Sequence, residues 1–273
     1  MAITHFIPEL WAAQMLDRWT AMTIFANLVN REYEGIAAKG NTVHITGVVA
    51  PAVKDYKGNN RTTSADAISD TGIDLLIDQE KNFDFYVDDI DRVQAAGSLD
   101  PYTDAAGDGL AQDTDQFLAN VLVDHGTALP GTAPSDGDDA FDLVRDARKA
   151  LNKANAPADG RVLVVNAEFE GLLLGANSKL TAFDTSGDGA GLRQGTVGSL
   201  LGFRVVTSNN LPDTDSPQFI AFYPRAAAYV SQIDTVEGMR ADNKFADRVR
   251  GLHVYGGKVV KPEGVHVFNP AGS

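Results

Sequence analysis

Residues 184–195 (DTSGDGAGLRQG) place oxygen donors where a calcium loop needs them: Asp184, Ser186 and Asp188, with Gly189 at the sharp turn. Such a loop closes on a bidentate Glu, and here that position is Gly195. Without that carboxylate the coordination shell stays open, so the stretch reads as a flexible loop. The same glycines lack the G-x-G-x-x-G spacing, and no Lys-Ser/Thr pair follows them, so they form no phosphate cradle. The histidines are His5, His44, His125, His253 and His266, and no two stand at H-x-x-x-H spacing. Gly198-Ser199-Leu200 lacks the flanking glycines of a nucleophile elbow. Cys is absent, which removes thiolate ligands, thiol nucleophiles and disulfides. Carboxylates are too numerous for any acid/base pair to stand out. The expectation is no enzyme: no catalytic, cofactor-binding or metal-binding residue is assigned, and no cofactor.

Charge points the same way. Lys and Arg number 23 against 37 Asp and Glu, a net charge of −14. Phosphate neutralisation needs clustered cations, so specific nucleic-acid binding is not the expected role. No apolar run approaches the ~18 residues that span a bilayer, and the first residues (MAITHFIPELW) do not read as a signal peptide.

The elements that must position any functional residue begin with a long hairpin. Residues 41–49 (NTVHITGVV) alternate, with Val43, Ile45 and Val48 assigned to one face. Residues 71–78 (TGIDLLID), then 83–87 (FDFYV), read as the returning arm. Between them residues 50–70 carry little apolar content, and a loop of about 20 residues is rare in a compact domain unless it is functional or disordered. This hairpin is expected to reach a neighbouring subunit rather than its own core. Lys54, Asp55, Lys57 and Arg61 give it both signs of charge for polar pairing there. Upstream, Pro8 opens a stretch with Leu10, Trp11, Met15, Leu16 and Trp19, followed by Met22, Phe25, Ala26 and Val29. This amphipathic spacing, with both tryptophans of the chain, reads as an arm docked on a neighbour through Trp11, Trp19 and Phe25. The alternative is packing on its own domain.

Asp100-Pro101 is a helix start, and Gly126 follows His125 as its stop. The helix would be about 37 Å long, with Leu110, Phe117, Leu118, Val121 and Leu122 as its apolar stripe and Gly107 and Gly109 as points of bending. Residues 128–139 connect two lobes, and Asp138 or Asp139 caps the next helix, which carries Phe141, Leu143, Val144, Ala147 and Leu151. Residues 161–165 read as a strand, 167–174 as a helix, 178–195 as loop, and 202–208 and 218–223 as strands, which makes a small α/β lobe. The last third is strand-like over 227–236, 248–255, 258–261 and 264–268, with Gly256-Gly257 as a two-residue hairpin turn.

Several runs carry a resemblance. They are Phe6-Ile7-Pro8-Glu9-Leu10-Trp11, then residues 25–33 (FANLVNREY), 195–206 (GTVGSLLGFRVV), 208–212 (SNNLP), 245–251 (FADRVRG) and 255–259 (YGGKV). In this order they resemble the tailed-phage major capsid (coat) proteins of the Hong Kong 97-type fold, over essentially the whole chain. The resemblance implies an α+β fold. Its parts would be an amino-terminal arm (1–40), an extended β-hairpin loop (41–87), a peripheral domain with the spine helix (88–137), an axial α/β domain (138–226), peripheral strands (227–254) and carboxy-terminal strands returning to the axial domain (255–273). It implies a major capsid protein that assembles as hexamers and pentamers into the icosahedral head of a tailed double-stranded DNA phage. Its partners would be itself, a portal protein, a separate scaffolding protein, decoration proteins, and packaged DNA held without specific binding; no membrane is expected. Its place would be the virion, after synthesis in the host bacterial cytoplasm. A cross-link between Lys54 or Lys57 and an Asn such as Asn243 has no spacing signal. The alternatives are an encapsulin-like nanocompartment shell protein, and a soluble α/β enzyme with residues 50–70 as a lid.

Overall fold

The computed structural model describes residues 24–34, 40–48, 53–63, 70–88, 100–175, 198–212, 215–241 and 244–270. Trp11, Trp19, Asn243 and the calcium-like stretch 184–195 lie outside these residues. In chain order the elements are α1 (Phe25–Leu28), β1 (Thr42–Val48), β2 (Asp70–Leu76), β3 (Gln79–Asp88), α2 (Asp100–His125), β4 (Thr127–Ala128) and α3 (Gly137–Lys153). There follow β5 (Val162–Val165), α4 (Ala167–Leu173), β6 (Ser199–Leu200), β7 (Phe203–Thr207), β8 (Phe219–Phe222), β9 (Ala227–Arg240), β10 (Ala246–Val259) and β11 (Val265–Phe268).

β5 and β8 are unbroken apolar runs, and β11 is broken only by the buried His266, because both faces of their sheet are covered. The sheet has the order β4-β11-β8-β5-β7-β6. Alternate residues enter two separate cores. Val162, Val164, Ile220, Phe222, Val265 and Val267 face Leu118 and Leu122 of α2 and Phe25 and Leu28 of α1. Leu163, Val165, Phe219, Ala221 and Phe268 face Ala140, Val144, Ala147 and Leu151 of α3 and Phe169 and Leu173 of α4. α3 is capped by Asp136, not by Asp138 or Asp139: its carboxylate accepts the Asp139 N–H at 3.0 Å. Asp139 in turn accepts the Ser135 N–H and hydroxyl, and the reciprocal pair draws the helix start toward the loop.

α2 has the expected bounds and runs through Gly107 and Gly109 as one helix. Its buried stripe is Ala111, Thr114, Asp115, Leu118, Ala119 and Leu122, whereas Phe117 and Val121 are only partly buried. The second sheet has the order β3-β10-β9. β3, expected in the hairpin's returning arm, instead pairs along β10 from Asp88↔Ala246 to Gln79↔Tyr255. β10 also corrects the expected turn at Gly256-Gly257, because it continues through both glycines, paired with Val230 and Tyr229 of β9. A Cβ on Gly256 would lie 2.2 Å from the Leu76 carbonyl oxygen, and one on Gly257 would lie 2.7 Å from Leu118 Cδ2. The glycines are there because two other segments cross the strand closely.

Candidate assembly surfaces

β1 and β2 form the base of the hairpin in an unbroken antiparallel register, Val43↔Leu75 and Ile45↔Ile73. Position 48 therefore falls on the face opposite Val43 and Ile45. Val43, Ile45, Leu75 and Ile77 are buried against Ala228, Val230 and Val254. The base thus packs on its own chain, contrary to the expectation that the hairpin would stand clear of its core. Hydrogen bonds fix its direction. Lys258 donates to the Asp74 carbonyl at 2.7 Å. Gln232, the extra residue of a bulge in β9, donates to the Gly40 carbonyl at 3.0 Å.

The described tip, residues 53–63, is exposed throughout. It is nevertheless ordered by its own hydrogen bonds. The Asp55 side chain accepts the Lys57 N–H at 3.0 Å. The Asp55 carbonyl accepts the Asn59 N–H, and the Tyr56 carbonyl accepts the Arg61 N–H at 2.9 Å. Asn60 and Arg61 both take left-handed backbone, φ 51° and 59°, which folds the turn on itself. Lys54, Asp55, Lys57 and Arg61 are thus brought onto one exposed turn. The sequence reading passed over Val53, fully exposed, and Tyr56, 54% exposed. Within a run so polar, these two apolar side chains were the available signal.

Of the three arm residues, only Phe25 is described, and it corrects the expectation. It is fully buried in its own chain, within the core that holds Leu118 and Phe222, so it cannot present its ring to a neighbour. Its backbone is held by Asp115 of α2, whose carboxylate accepts the N–H groups of Ile24 and Phe25, each at 3.1 Å, and the Asn210 carboxamide at 3.3 Å. Asp115 was missed because, beside Thr114, it interrupts a largely apolar helix stripe, and a lone carboxylate reads as surface.

The outer face of the β3-β10-β9 sheet is a ladder of ion pairs. Arg248 grips the Asp84 carboxylate with its Nε and Nη2, and Arg250 bonds Glu237 directly opposite it. Hydrogen bonding to Arg248 holds the Asp84 carboxyl below its ordinary value. The guanidinium of Arg248 and the ammonium of Lys244 lie over the Tyr86 ring, at 5.6 and 5.2 Å. Where β9 passes to β10, Phe245 is 82% exposed. A groove of about 470 Å³ runs between the pairs, lined by Asn82, Asp84, Thr235, Glu237, Arg250 and Leu252 among others.

The inner face holds His253. Its Nε2 lies 3.2 Å from the Ser231 hydroxyl and 3.4 Å from the Tyr229 hydroxyl, and its ring stacks on Tyr255. Tyr255 donates to Asp113 at 2.6 Å. These contacts tie β9, β10 and α2 together. His44 pairs with Asp74 across β1 and β2 on the exposed face. Among the described residues no group of three His, Cys, Asp or Glu could hold a metal ion, and no helix is long and apolar enough to cross a membrane.

A family described as phage capsid protein matches residues 76–268 of the chain. A solved structure of Mycobacterium phage Che8 is similar at 69% sequence identity and TM-score 0.85, over 92% of this chain and 92% of that one. The capsid of cyanophage P-SCSP1u is similar at 18% identity and TM-score 0.76, over 90% of this chain and 87% of that one. A virus-like particle from Pyrococcus furiosus is similar at 14% identity and TM-score 0.63, over 96% and 98%. The last two share the fold. No curated protein matches the sequence.

Proposed function

The chain belongs to the phage capsid protein family, and from that premise we propose how its surfaces build a shell. Its role is structural: it is a capsid subunit of a tailed phage with the Hong Kong 97-type fold. We read the work of the chain as assembly rather than catalysis. Copies associate as hexamers and pentamers and close an icosahedral head around double-stranded DNA. A portal protein, a separate scaffolding protein and decoration proteins would complete the head, and the subunits would be made in the host cytoplasm.

Within this reading the hairpin over 41–76 is the extended loop, and the β3-β10-β9 sheet with α2 is the peripheral unit. The six-stranded sheet with α3 and α4 is the axial unit. Within the expected arm (1–40), residues 1–23, with Trp11 and Trp19, would be the part that reaches a neighbour. The observation that carries the proposal is the contrast within the hairpin: its base is locked to the body, while its tip is preorganised and exposed. A turn ordered by its own hydrogen bonds loses little freedom when it docks, which is what a repeated inter-subunit contact requires. Val53 and Tyr56 supply the apolar anchor. Lys54, Asp55, Lys57 and Arg61 set register around it, against a chain whose net charge is −14. A nanocompartment shell and a soluble enzyme are not favoured beside a 69% identical phage chain.

The test is deletion of residues 54–63, followed by negative-stain electron microscopy and light scattering beside the intact chain, with its neighbouring gene products if they are needed. The deleted subunit should stay soluble and folded but build no stable shells. Normal shells from it would overturn the role given to the tip.

A further inference from the structure

Asp115 stands inside the core stripe of α2, 1% exposed, between Ala111 and Leu118. Both of its oxygens are committed to segments far away in sequence. Oδ1 accepts the N–H groups of Ile24 and Phe25, each at 3.1 Å. Oδ2 accepts the Ile24 N–H at 3.2 Å and the Asn210 carboxamide at 3.3 Å. Asn210 is itself oriented by its backbone N–H, which donates to the Ser208 hydroxyl at 3.2 Å. It lies in the connection that leaves β7, and the next residue, Leu211, is buried in the core shared by α1 and α2. The groups facing the carboxylate are thus two backbone N–H groups and one carboxamide; among the described residues no ionisable side chain pairs with it. Burial raises the Asp115 carboxyl above its ordinary value, and the three donors offset this only in part. An ionised group in this position weakens the subunit rather than stabilising it.

We propose that Asp115 is a positioning residue for assembly, which ties the backbone at Ile24 and Phe25 to the six-stranded lobe at Asn210. The residue to which 1–23 are joined is thereby fixed relative to that lobe. The inference rests on the capsid reading, in which those residues reach a neighbour. The chemistry requires a carboxylate. It is an acceptor at both oxygens and can serve two donor segments at once. A carboxamide of the same shape has one acceptor and one donor group, so it serves one segment and opposes the other.

The experiment uses the full chain with Asp115→Asn, and with the exchange Asp115→Asn/Asn210→Asp. In the single variant an amide donor meets the amide donor of Asn210. In the exchanged pair the donor at 115 meets a carboxylate at 210, and the oxygen at 115 still accepts from Ile24 and Phe25. Closed-shell yield is counted by electron microscopy, and the melting temperature of the unassembled subunit is measured beside it. Relief of the buried charge offsets the lost hydrogen bond, so the single variant should melt close to wild type, whereas its shell yield should fall at least about tenfold. The exchange should restore the yield. Wild-type yield from the single variant, a loss that merely follows a lower melting temperature, or failure of the exchange would each overturn the assignment. All chains are assembled beside the same neighbouring gene products, and absence of shells from the wild-type chain under those conditions would overturn the self-assembly reading, and this inference with it.

Discussion

His253 enters the inner face of the three-stranded sheet as a neutral ring. Burial pushes its value from 6.5 down to about 4, against the opposing pull of Asp113. The unfolded chain therefore takes up the proton first. The stability that neutral His253 contributes is complete above pH 6.5, is lost as the pH falls toward about 4, and is level below that. The gap corresponds to about 3 kcal/mol. Asp115 acts with the opposite sign: its raised carboxyl favours the folded state as the pH falls. Denaturant unfolding of the unassembled subunit at a series of pH values should show a slope that is flatter in His253→Gln. Parallel profiles would show that another group carries it. Neither residue could be weighed from the sequence. A histidine in a strand and an aspartate in a helix look alike whether buried or exposed, and only their distant partners, Tyr229 and Ser231 for one and Ile24 and Asn210 for the other, distinguish them.

Among the elements, β10 carries the strongest constraint. Ala at position 256 would force its methyl into the backbone at Leu76 and Ile77, at 2.2 and 2.9 Å. Backbone cannot swing aside as a side-chain tip can, so Gly256→Ala should cost about 3 kcal/mol or more, the upper end for overpacking. Gly72→Ala, with nothing within 4 Å of the added atom, is the control and should leave unfolding unchanged. Equal midpoints for the two variants would show that the crossing is loose. This element also marks what could be read in advance. α2 was legible because Asp100-Pro101 and Gly126 are local signals. The central strands were legible because burial on both faces leaves an apolar run. Gly256-Gly257 was misread because a turn and a close crossing ask for the same residue, and only the partner strands separate the two cases. The placement of β3 was misread for a related reason: it alternates as well as β2 does, and its pairing with β10 spans more than 150 residues.

On the scale of the whole molecule, a charge of −14 makes copies repel one another. The basic tip, with Lys54, Lys57 and Arg61 against Asp55, is a local exception that attracts. Screening weakens both, but the repulsion is summed over the entire surface and is the larger quantity. Assembly of purified subunits, followed by light scattering, should therefore quicken as salt rises from about 0.05 to 0.5 M, where the screening length shortens severalfold. Slower assembly at high salt would mean that tip attraction governs the encounter. The order β4-β11-β8 has a consequence of another kind. β11 is synthesised after every other described strand, yet it lies between β4, made long before, and β8, and both cores draw residues from it. A chain interrupted by the ribosome before Val265 lacks an interior strand, and its larger lobe cannot close. Every subunit that reaches the fold has thus been read through Phe268, and a lattice built from such subunits is proofread against copies cut short of it before the first contact forms.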